Sequence, residues 1–326
     1  MIEQVLPHIY HIHVPLPRNP LRELNSYLIK GDGRNLLIDT GFRQVACQKA
    51  LLAALQELGV RREDTDVLLT HRHSDHAGLA DVFSGDDRTI YVGEIERESF
   101  QQPLRNQLRK AHDDRLLAEG LPTDVFTSQE YRNPAHYTAI PDSVYKYTDL
   151  ADGDVLEIAG YRLKAILTPG HTPGHMCFWM EEQGAMFLGD HVLFDITPNI
   201  TAWTELPDAL GTYLESLKAI RSYDVEISLP GHRATGNFKQ RVDELLLHHE
   251  QRLDETRRIV REHPGLTAHD IAGKMTWHIR CSSWEDFPPG QKWFAVGECL
   301  SHLDRLKILG EIRSEVRDGL VYYFPA

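Results

Sequence analysis

The stretch THRHSDHAG at residues 70–78 directly follows an apolar run, DVLL, at residues 66–69. It contains four potential metal ligands within six residues: His71, His73, Asp75 and His76. Without a cation, three imidazoles and a carboxylate packed on one loop would repel one another or stay unpaired. Neutral imidazole and carboxylate are the donors that suit zinc and related divalent ions. The stretch therefore predicts a metal site on a loop that follows a strand.

Three further candidate ligands lie farther along the chain in a common setting. Each ends a strand-like run and stands beside glycine: His171 in LTPGH, Asp190 in FLGD and His232 in SLPGH. Glycine lets a backbone turn sharply and approach closely, so distant loops can aim their side chains into one cleft at a sheet edge. Singly each is weak evidence, because His or Asp beside glycine is an ordinary loop residue. Together with residues 71–76 they predict one metal centre.

The N-terminal two-thirds of the chain consists of short apolar runs that lead into polar loops. A helical pattern occupies residues 46–60, and the run at 177–190 is typical of a hairpin that turns at residues 182–184. The strand-like runs lie at residues 9–16, 25–30, 35–40, 66–70, 89–93, 161–171, 177–190 and 225–232. The mixture predicts a layered α/β catalytic domain over residues 1–236.

Three other segments are distinguished by their patterns. Residues 96–148 are polar and helix-prone, and are predicted to be an insertion that forms a lid or a substrate wall. A linking helix is predicted over residues 237–264, ending at Pro264-Gly265. Residues 265–326 follow the order helix, helix, hairpin, with Thr267 as a helix cap. This order predicts a small winged-helix-like domain, which we expect to close a dimer or the pocket.

Composition limits the classes of function. The formal charge of −13 over 326 residues disfavours a large surface that tracks phosphates. No apolar run approaches the roughly 20 residues of a membrane-spanning helix, and the first residues lack a signal-peptide pattern. We therefore expect a cytoplasmic protein without a membrane partner. The cysteines form no CxxC pair, which argues against a disulfide framework or a cysteine zinc site; they are Cys47, Cys177, Cys281 and Cys299.

On these residues the sequence resembles the metallo-β-lactamase superfamily, whose marks are HxHxDH followed by a His, an Asp and a last His. The run LLIDTG, which contains Asp39, also matches, and the resemblance covers about residues 1–235. It implies a four-layer αβ/βα sandwich with the site at one edge, in the glyoxalase II-like group. It also implies two divalent metals, for which we expect Zn²⁺, with iron or manganese as alternatives. His71, His73 and His171 would hold the first metal, Asp75, His76 and His232 the second, and Asp190 would bridge them.

The mechanism that this ligand set implies begins with water. Two cations would lower the pKa of a shared water and give a hydroxide nucleophile that bridges the metals. Asp75 would orient that hydroxide, and Asp39 would hold a ligand histidine from behind. His191 directly follows Asp190 and is a candidate proton donor, the alternative being that it only satisfies backbone groups. The same two interpretations apply to His175.

The favoured function is hydrolysis of a small-molecule ester or thioester, of the acyl-CoA or glutathione-conjugate type. One alternative is an RNA or phosphodiester hydrolase with a winged-helix tail, which is disfavoured because the tail is nearly neutral. Another is a single-iron, persulfide dioxygenase-like oxidoreductase, because ligand residues do not reveal which metal is bound. Antibiotic hydrolysis is not expected, because β-lactamases of this family commonly carry a cysteine where Asp190 stands.

Overall fold

The computed structural model of the chain describes residues 1–83, 85, 87–127, 146–279 and 281–326. Its first sheet has seven strands in chain order, antiparallel from β1 to β4 and parallel from β4 to β7. These strands are β1 (Ile2–Leu6), β2 (Ile9–Pro15), β3 (Glu23–Ile29), β4 (Asn35–Ile38), β5 (Thr65–Leu68), β6 (Ile90–Gly93) and β7 (Tyr147–Leu150).

The second sheet has five strands in the order β12-β11-β10-β9-β8. The strands β10 and β11 form the predicted hairpin, with Phe178 opposite Phe187 and Gly184 in the left-handed turn position. The five strands are β8 (Val155–Ile158), β9 (Tyr161–Leu167), β10 (Met176–Met180), β11 (Ala185–Gly189) and β12 (Ile227–Pro230).

Helices cover the outer face of each sheet. Helix α1 (Val45–Glu57) packs its buried Leu51 and Leu55 on the first sheet. The helices that follow are α2 (Ser74–Ala77), α3 (Glu94–Phe100), α4 (Gln102–Ala118), α5 (Thr123–Thr127), α6 (Ala209–Ile220), α7 (Phe238–Glu262), α8 (Ala268–Ala272) and α9 (Pro289–Ile308). Short 3-10 turns occur at Arg62–Asp64, Ala80–Phe83 and Glu181–Gln183.

Three apolar clusters define the layers. One lies between the sheets, where Ile38 and Leu68 of the first sheet meet Phe178 of the second. Another joins α1 to the outer face of the first sheet. The third joins the outer face of the second sheet to α6, α7 and α9, with Tyr213 and Val242 fully buried in it. Two helix-covered sheets packed face to face confirm the predicted αβ/βα sandwich.

The C-terminal segment ends in a two-stranded hairpin of β13 (Ile312–Arg317) and β14 (Leu320–Pro325). Thr267 caps α8, as predicted, by accepting a hydrogen bond from Asp270 N. The side chains of Val296, Leu300 and Tyr323 belong to the same apolar cluster as the second sheet, so the core is continuous across residue 265. A separate winged-helix-like domain stays a prediction.

The sequence patterns missed β1, β7 and β8. These strands are four or five residues long, and the side chains of β8 alternate only between exposed and half-buried. The predicted insertion at 96–148 contains most of α3, all of α4 and α5, and the first residues of β7; residues 128–145 lie outside the described ones.

All four cysteines have free thiols. Among the described residues, every helix is too short or too polar to cross a bilayer.

Candidate metal centre

The candidate ligand loops follow strands of both sheets. The 71–76 loop follows β5 of the first sheet, whereas His171, Asp190 and His232 follow β9, β11 and β12 of the second. These last three strands run in one direction, because β10 pairs antiparallel with β9 and β11, and β11 pairs parallel with β12. Their carboxyl ends therefore meet at one edge of the second sheet.

Backbone hydrogen bonds join the two sheets at this edge. Asn25 N of β3 donates to Gly231 O at 2.7 Å, beside His232. Met176 N at the start of β10 donates to Thr70 O at 2.9 Å, beside His71. The loops of the two sheets are therefore fixed relative to one another by main-chain contacts.

Three imidazoles form the first group of candidate ligand atoms. His73 Nδ1 lies 3.1 Å from His71 Nε2 and 3.0 Å from His171 Nε2. All three atoms fall within 4.8 Å of one another, and His71 is fully buried. The arrangement matches the set predicted to hold the first metal.

Two imidazoles and a carboxylate form the second group. His232 Nε2 lies 3.2 Å from His76 Nε2 and 3.4 Å from Asp75 Oδ2. Their ligand atoms also fall within 4.8 Å of one another. This is the set predicted for the second metal.

Asp190 lies between the two groups. Its Oδ2 is 3.7 Å from His171 Nε2 and 3.6 Å from His232 Nε2, while its Oδ1 is 3.4 Å from His76 Nε2. One carboxylate thus faces histidines of both groups, as the predicted bridging position requires.

Hydrogen bonds fix the tautomers of the histidines. Nδ1 of His171 contacts the carbonyl of Asn199 at 2.9 Å, and Nδ1 of His232 contacts the carbonyl of Glu23 at 2.8 Å. Because a carbonyl only accepts, each Nδ1 carries a proton, and the neutral form of each ring would present its Nε2 lone pair to the cluster.

The same reasoning applies to His71 and His76. His76 Nδ1 donates to Asp39 Oδ2 at 2.7 Å. Thr70 Oγ1 donates to the same carboxylate oxygen at 2.8 Å, so it accepts from His71 Nδ1 at 3.0 Å. In neutral rings, the Nε2 lone pairs of His76 and His232 would face each other across 3.2 Å. Lone pairs that converge in this way fit a cation between them, and the nitrogen and carboxylate donors suit zinc, iron or manganese.

Two glycines make room for the ligands. A Cβ at Gly231 would lie 2.6 Å from Asp190 Oδ1 and 2.8 Å from His76 Cε1. At Gly189, which has a φ of +48°, a Cβ would lie 2.5 Å from His175 Nε2. Glycine is thus needed before Asp190 and before His232 because neighbouring side chains pack against its backbone, which agrees with the close approach predicted from the sequence.

Burial and neighbouring groups shift the pKa values in the centre. Burial, with His171 nearby, lowers the pKa of His73 to about 3. Burial also lowers the pKa values of His71 and His171. For Asp75, burial would raise the pKa, but the hydrogen bond with His232 and the nearby His76 lower it to about 2. Burial would lower the pKa values of His76 and His232, but the carboxylate of Asp190 raises both, which favours a second proton on each of these rings that a bound metal would displace. The first group of imidazoles is neutral near pH 7 and Asp75 is ionised, which is the form in which each can bind a metal.

His175 and His191 lie behind the centre. His175 Nε2 accepts from Asp190 N at 3.1 Å, and its Nδ1 donates to Thr168 Oγ1 at 2.9 Å, so it fixes the backbone of Asp190. The ring of His191 is fully buried, 5.8 Å from the His175 ring and 5.0 Å from the Tyr213 ring. It belongs to neither group of candidate ligand atoms, and its role as proton donor stays a prediction.

The groups on the rim were not among the residues that the sequence patterns indicated. Trp203 Nε1 donates to His171 O at 3.0 Å, and its ring lies 6.1 Å from the His73 ring. The guanidinium of Arg72 stacks 4.4 Å over this indole and binds Glu205 at 2.9 Å. The position of Arg72 inside the HxHxDH motif could have indicated its place at the site, whereas nothing local to Trp203 did.

Comparison with known proteins gives matches over most of the chain. The family model described as Metallo-beta-lactamase superfamily matches residues 20–232. A probable metallo-hydrolase of Bacillus subtilis, YqjP, is 28% identical, with 96% of each chain covered. An atrochrysone carboxyl ACP thioesterase of Aspergillus fumigatus is 29% identical over 67% of this chain and 39% of its own length. The crystal structure of a metallo-beta-lactamase family protein from Thermus thermophilus superposes with a TM-score of 0.84 at 29% identity, covering 99% of this chain and 100% of that one.

Proposed function

We propose that this chain, which belongs to the metallo-β-lactamase superfamily, is a hydrolase that uses two divalent metal ions to cleave thioesters or esters of small acyl groups. The observation that carries the proposal is the convergence of seven ligand side chains on two groups that share Asp190. The protein is a member of a superfamily of metallo-hydrolases, and the use of metal is supported by its clustered His and Asp side chains.

His71, His73 and His171 would hold one ion, Asp75, His76 and His232 the other, and Asp190 would contact both. When bound, the ions would supply Lewis acidity, which lowers the pKa of water and polarises a substrate carbonyl. Zn²⁺ is proposed because imidazole and carboxylate donors suit it, with iron and manganese as alternatives.

Asp75 is proposed to orient the attacking water. Its Oδ2 faces His232 Nε2 at 3.4 Å, and the carboxylate is ionised at neutral pH because its pKa is about 2. An ionised carboxylate accepts a hydrogen bond from water and directs the oxygen lone pair towards a substrate. Asp39 is proposed to hold His76 in the tautomer that binds metal, through the 2.7 Å contact described above.

The rim beside His73 is proposed to bind the acyl group. The indole of Trp203 offers an apolar face next to His73, and Arg72 is held against it by Glu205 and by the fully buried Glu96, whose Oε2 lies 3.6 Å from Arg72 Nε. An aromatic face that is held in place at the rim suits an apolar acyl chain.

Thioesters are preferred over other substrates because of the relatives. Two of the similar proteins are described as atrochrysone carboxyl ACP thioesterases, one of Aspergillus fumigatus and one of Paecilomyces divaricatus. A thioester carbonyl also needs no acid for its leaving group, because a thiolate leaves readily near neutral pH.

A panel of substrates tests the proposal. The zinc-loaded protein would be assayed with short acyl-CoA thioesters, followed by thiol release, and in parallel with an aryl ester, a bis-aryl phosphodiester and a short RNA. The iron-loaded protein would be assayed with glutathione persulfide and oxygen. We expect thioester cleavage, with a loss on the order of 10³-fold in kcat in Asp190→Ala.

Asp195→Asn is the matched control, because Asp195 is an exposed carboxylate five residues after Asp190. It should retain both metal and activity. Metal analysis of the purified variants separates loss of metal from loss of fold, which circular dichroism reports. Cleavage of RNA or oxidation of persulfide that depends on Asp190, with no thioester or ester cleavage, would refute the proposed reaction while leaving the metal centre intact.

A further inference from the structure

A second group of potential ligands lies on β1 and β2, the two strands at one edge of the first sheet. Glu3 of β1 and His11 of β2 stand directly opposite each other in the antiparallel pair, and His13 is two residues farther along β2. Opposed residues and residues two apart share one face of a sheet, so the three side chains meet. One potential ligand atom from each lies within 4.8 Å of the other two.

Neighbouring groups orient the His11 ring. His11 Nε2 contacts Asn25 Oδ1 at 2.9 Å. The amide nitrogen of Asn25 donates to the carbonyls of Pro230 and Arg233, at 3.1 Å and 2.9 Å, so its oxygen must be the atom that faces His11. His11 Nε2 therefore carries the proton, and Nδ1 is left with its lone pair.

His13 is held in an equivalent way. Its Nδ1 lies 3.2 Å from Glu23 Oε1, a carboxylate that accepts the ring proton. This leaves Nε2 with its lone pair, and the rings of His11 and His13 lie with centroids 4.1 Å apart. Metal-binding histidines in proteins characteristically donate their second ring nitrogen to a carboxylate or an amide oxygen, and both histidines here do so.

The charges of the group also call for a cation. With neutral imidazoles, the carboxylates of Glu3 and Glu23 place negative charge beside His11 and His13, which favours binding of a cation. The His13 side chain is about one-quarter exposed and Glu3 is exposed, so an ion can enter from solvent.

We propose that Glu3, His11 and His13 form an additional site for a divalent transition-metal ion such as Zn²⁺, with Asn25 and Glu23 orienting the two imidazoles. The site does not depend on the proposed hydrolase function. It lies next to the metal centre, however, because the backbone carbonyl of Glu23 accepts the ring proton of His232.

Equilibrium dialysis against Zn²⁺, followed by metal analysis, tests the site in the full chain from which any affinity tag has been cleaved. We expect His11→Gln/His13→Gln to bind one zinc ion fewer per chain than the parent protein. His263→Gln, which changes an exposed histidine at the end of α7, should bind the same number as the parent.

Two further measurements guard against an effect on folding. Glu3→Gln changes only an exposed side chain and should weaken binding of the additional zinc by about 10-fold or more without changing the melting temperature. An anomalous difference map of zinc-loaded crystals should show a peak within about 2.0–2.1 Å of His11 Nδ1 and His13 Nε2. Equal zinc binding by the parent and the double variant, or an equal loss in His263→Gln, would overturn the proposal.

Discussion

Asp39 Oδ2 lies 2.7 Å from His76 Nδ1 and so ties the end of β4 to the ligand loop that follows β5. The Asp39 carboxylate also accepts hydrogen bonds from Thr70 N at 2.9 Å and Thr70 Oγ1 at 2.8 Å. Asp39 has a φ of +57°, a left-handed conformation that Asp tolerates better than most residues and that turns the chain out of the strand. These partners are all donors, so the position requires a group that only accepts.

Replacing this acceptor-only group should weaken metal binding. In Asp39→Asn the amide NH₂ would face at least one donor, either the Thr70 hydroxyl or His76 Nδ1, and would disturb the tautomer that presents His76 Nε2 to the metal. We expect zinc affinity to fall about 10- to 100-fold, measured by competition with a chelator. Asp195→Asn serves as the control, and an unchanged affinity in Asp39→Asn would contradict the assigned hydrogen bonds.

A methyl group at Gly231 should damage the centre more than the fold. Its Cβ would lie 2.6 Å from Asp190 Oδ1 and 2.8 Å from His76 Cε1, closer than real Cβ contacts permit. We expect Gly231→Ala to lose most of its bound zinc and its activity while still folding. Gly33→Ala is the matched control, because a Cβ there meets nothing within 4 Å. Retention of full zinc content by Gly231→Ala would mean that the loop relaxes and that the close packing is not needed.

A proton-donor role and a purely structural role for His191 predict different effects of a substitution on kcat. If His191 donates a proton to the leaving group, His191→Gln should lower kcat about 10²-fold for substrates with poor leaving groups and much less for thioesters, with metal content unchanged. If the ring only fills the space beside His175 and Tyr213, the variant should lose thermal stability and keep kcat for both. Comparing an alkyl ester with its thioester analogue distinguishes the two.

Deletion of residues 265–326 should unfold the protein rather than release an independent catalytic domain. The deletion removes Val296, Leu300 and Leu303, all fully buried in the cluster that covers the second sheet. Burial of each such side chain contributes about 1.5–3 kcal/mol to the free energy of unfolding, which totals about 5–15 kcal/mol for a typical protein. We expect the truncated chain to be insoluble or to lack a cooperative melting transition. A folded, zinc-binding product of residues 1–264 would instead support a separable C-terminal domain.

The candidate metal ligands could be identified from sequence because their signal is local. The loop after β5 carries four of them within six residues, and each remaining ligand stands at a strand end beside a glycine. Long periodic elements such as α7 were predictable for the same reason. The helix was predicted to begin at residue 237, and in the structure Asn237 Oδ1 accepts from Gln240 N as the N-cap.

What could not be predicted depends on contacts that are distant in sequence. The carbonyl of Asn199 sets the tautomer of His171, and a backbone group leaves no mark in a side-chain pattern. In the sequence, His11 and His13 fit the ordinary alternation of side chains along a strand. Only the pairing of β1 with β2 shows that Glu3 lies opposite His11. The continuity of the core across residue 265 is likewise invisible, because an amphipathic helix does not reveal which surface it covers.

A buried carboxylate between α4 and the C-terminal hairpin should make stability depend on pH. Burial raises the pKa of Glu119 from 4.5 to about 7, although Tyr323 Oη donates to its carboxylate, with the two oxygens at 2.9 Å and 3.0 Å. The folded chain therefore holds this proton more tightly than the unfolded chain. The contribution to stability is fully present below about pH 4.5 and is lost as the pH rises through 7, by up to about 3 kcal/mol. Glu119→Gln keeps an acceptor for Tyr323 and cannot ionise, so its melting temperature should exceed that of the parent at about pH 8 and converge with it near pH 5. An equal difference in melting temperature between Glu119→Gln and the parent at every pH would mean that Glu119 ionises normally in the folded protein.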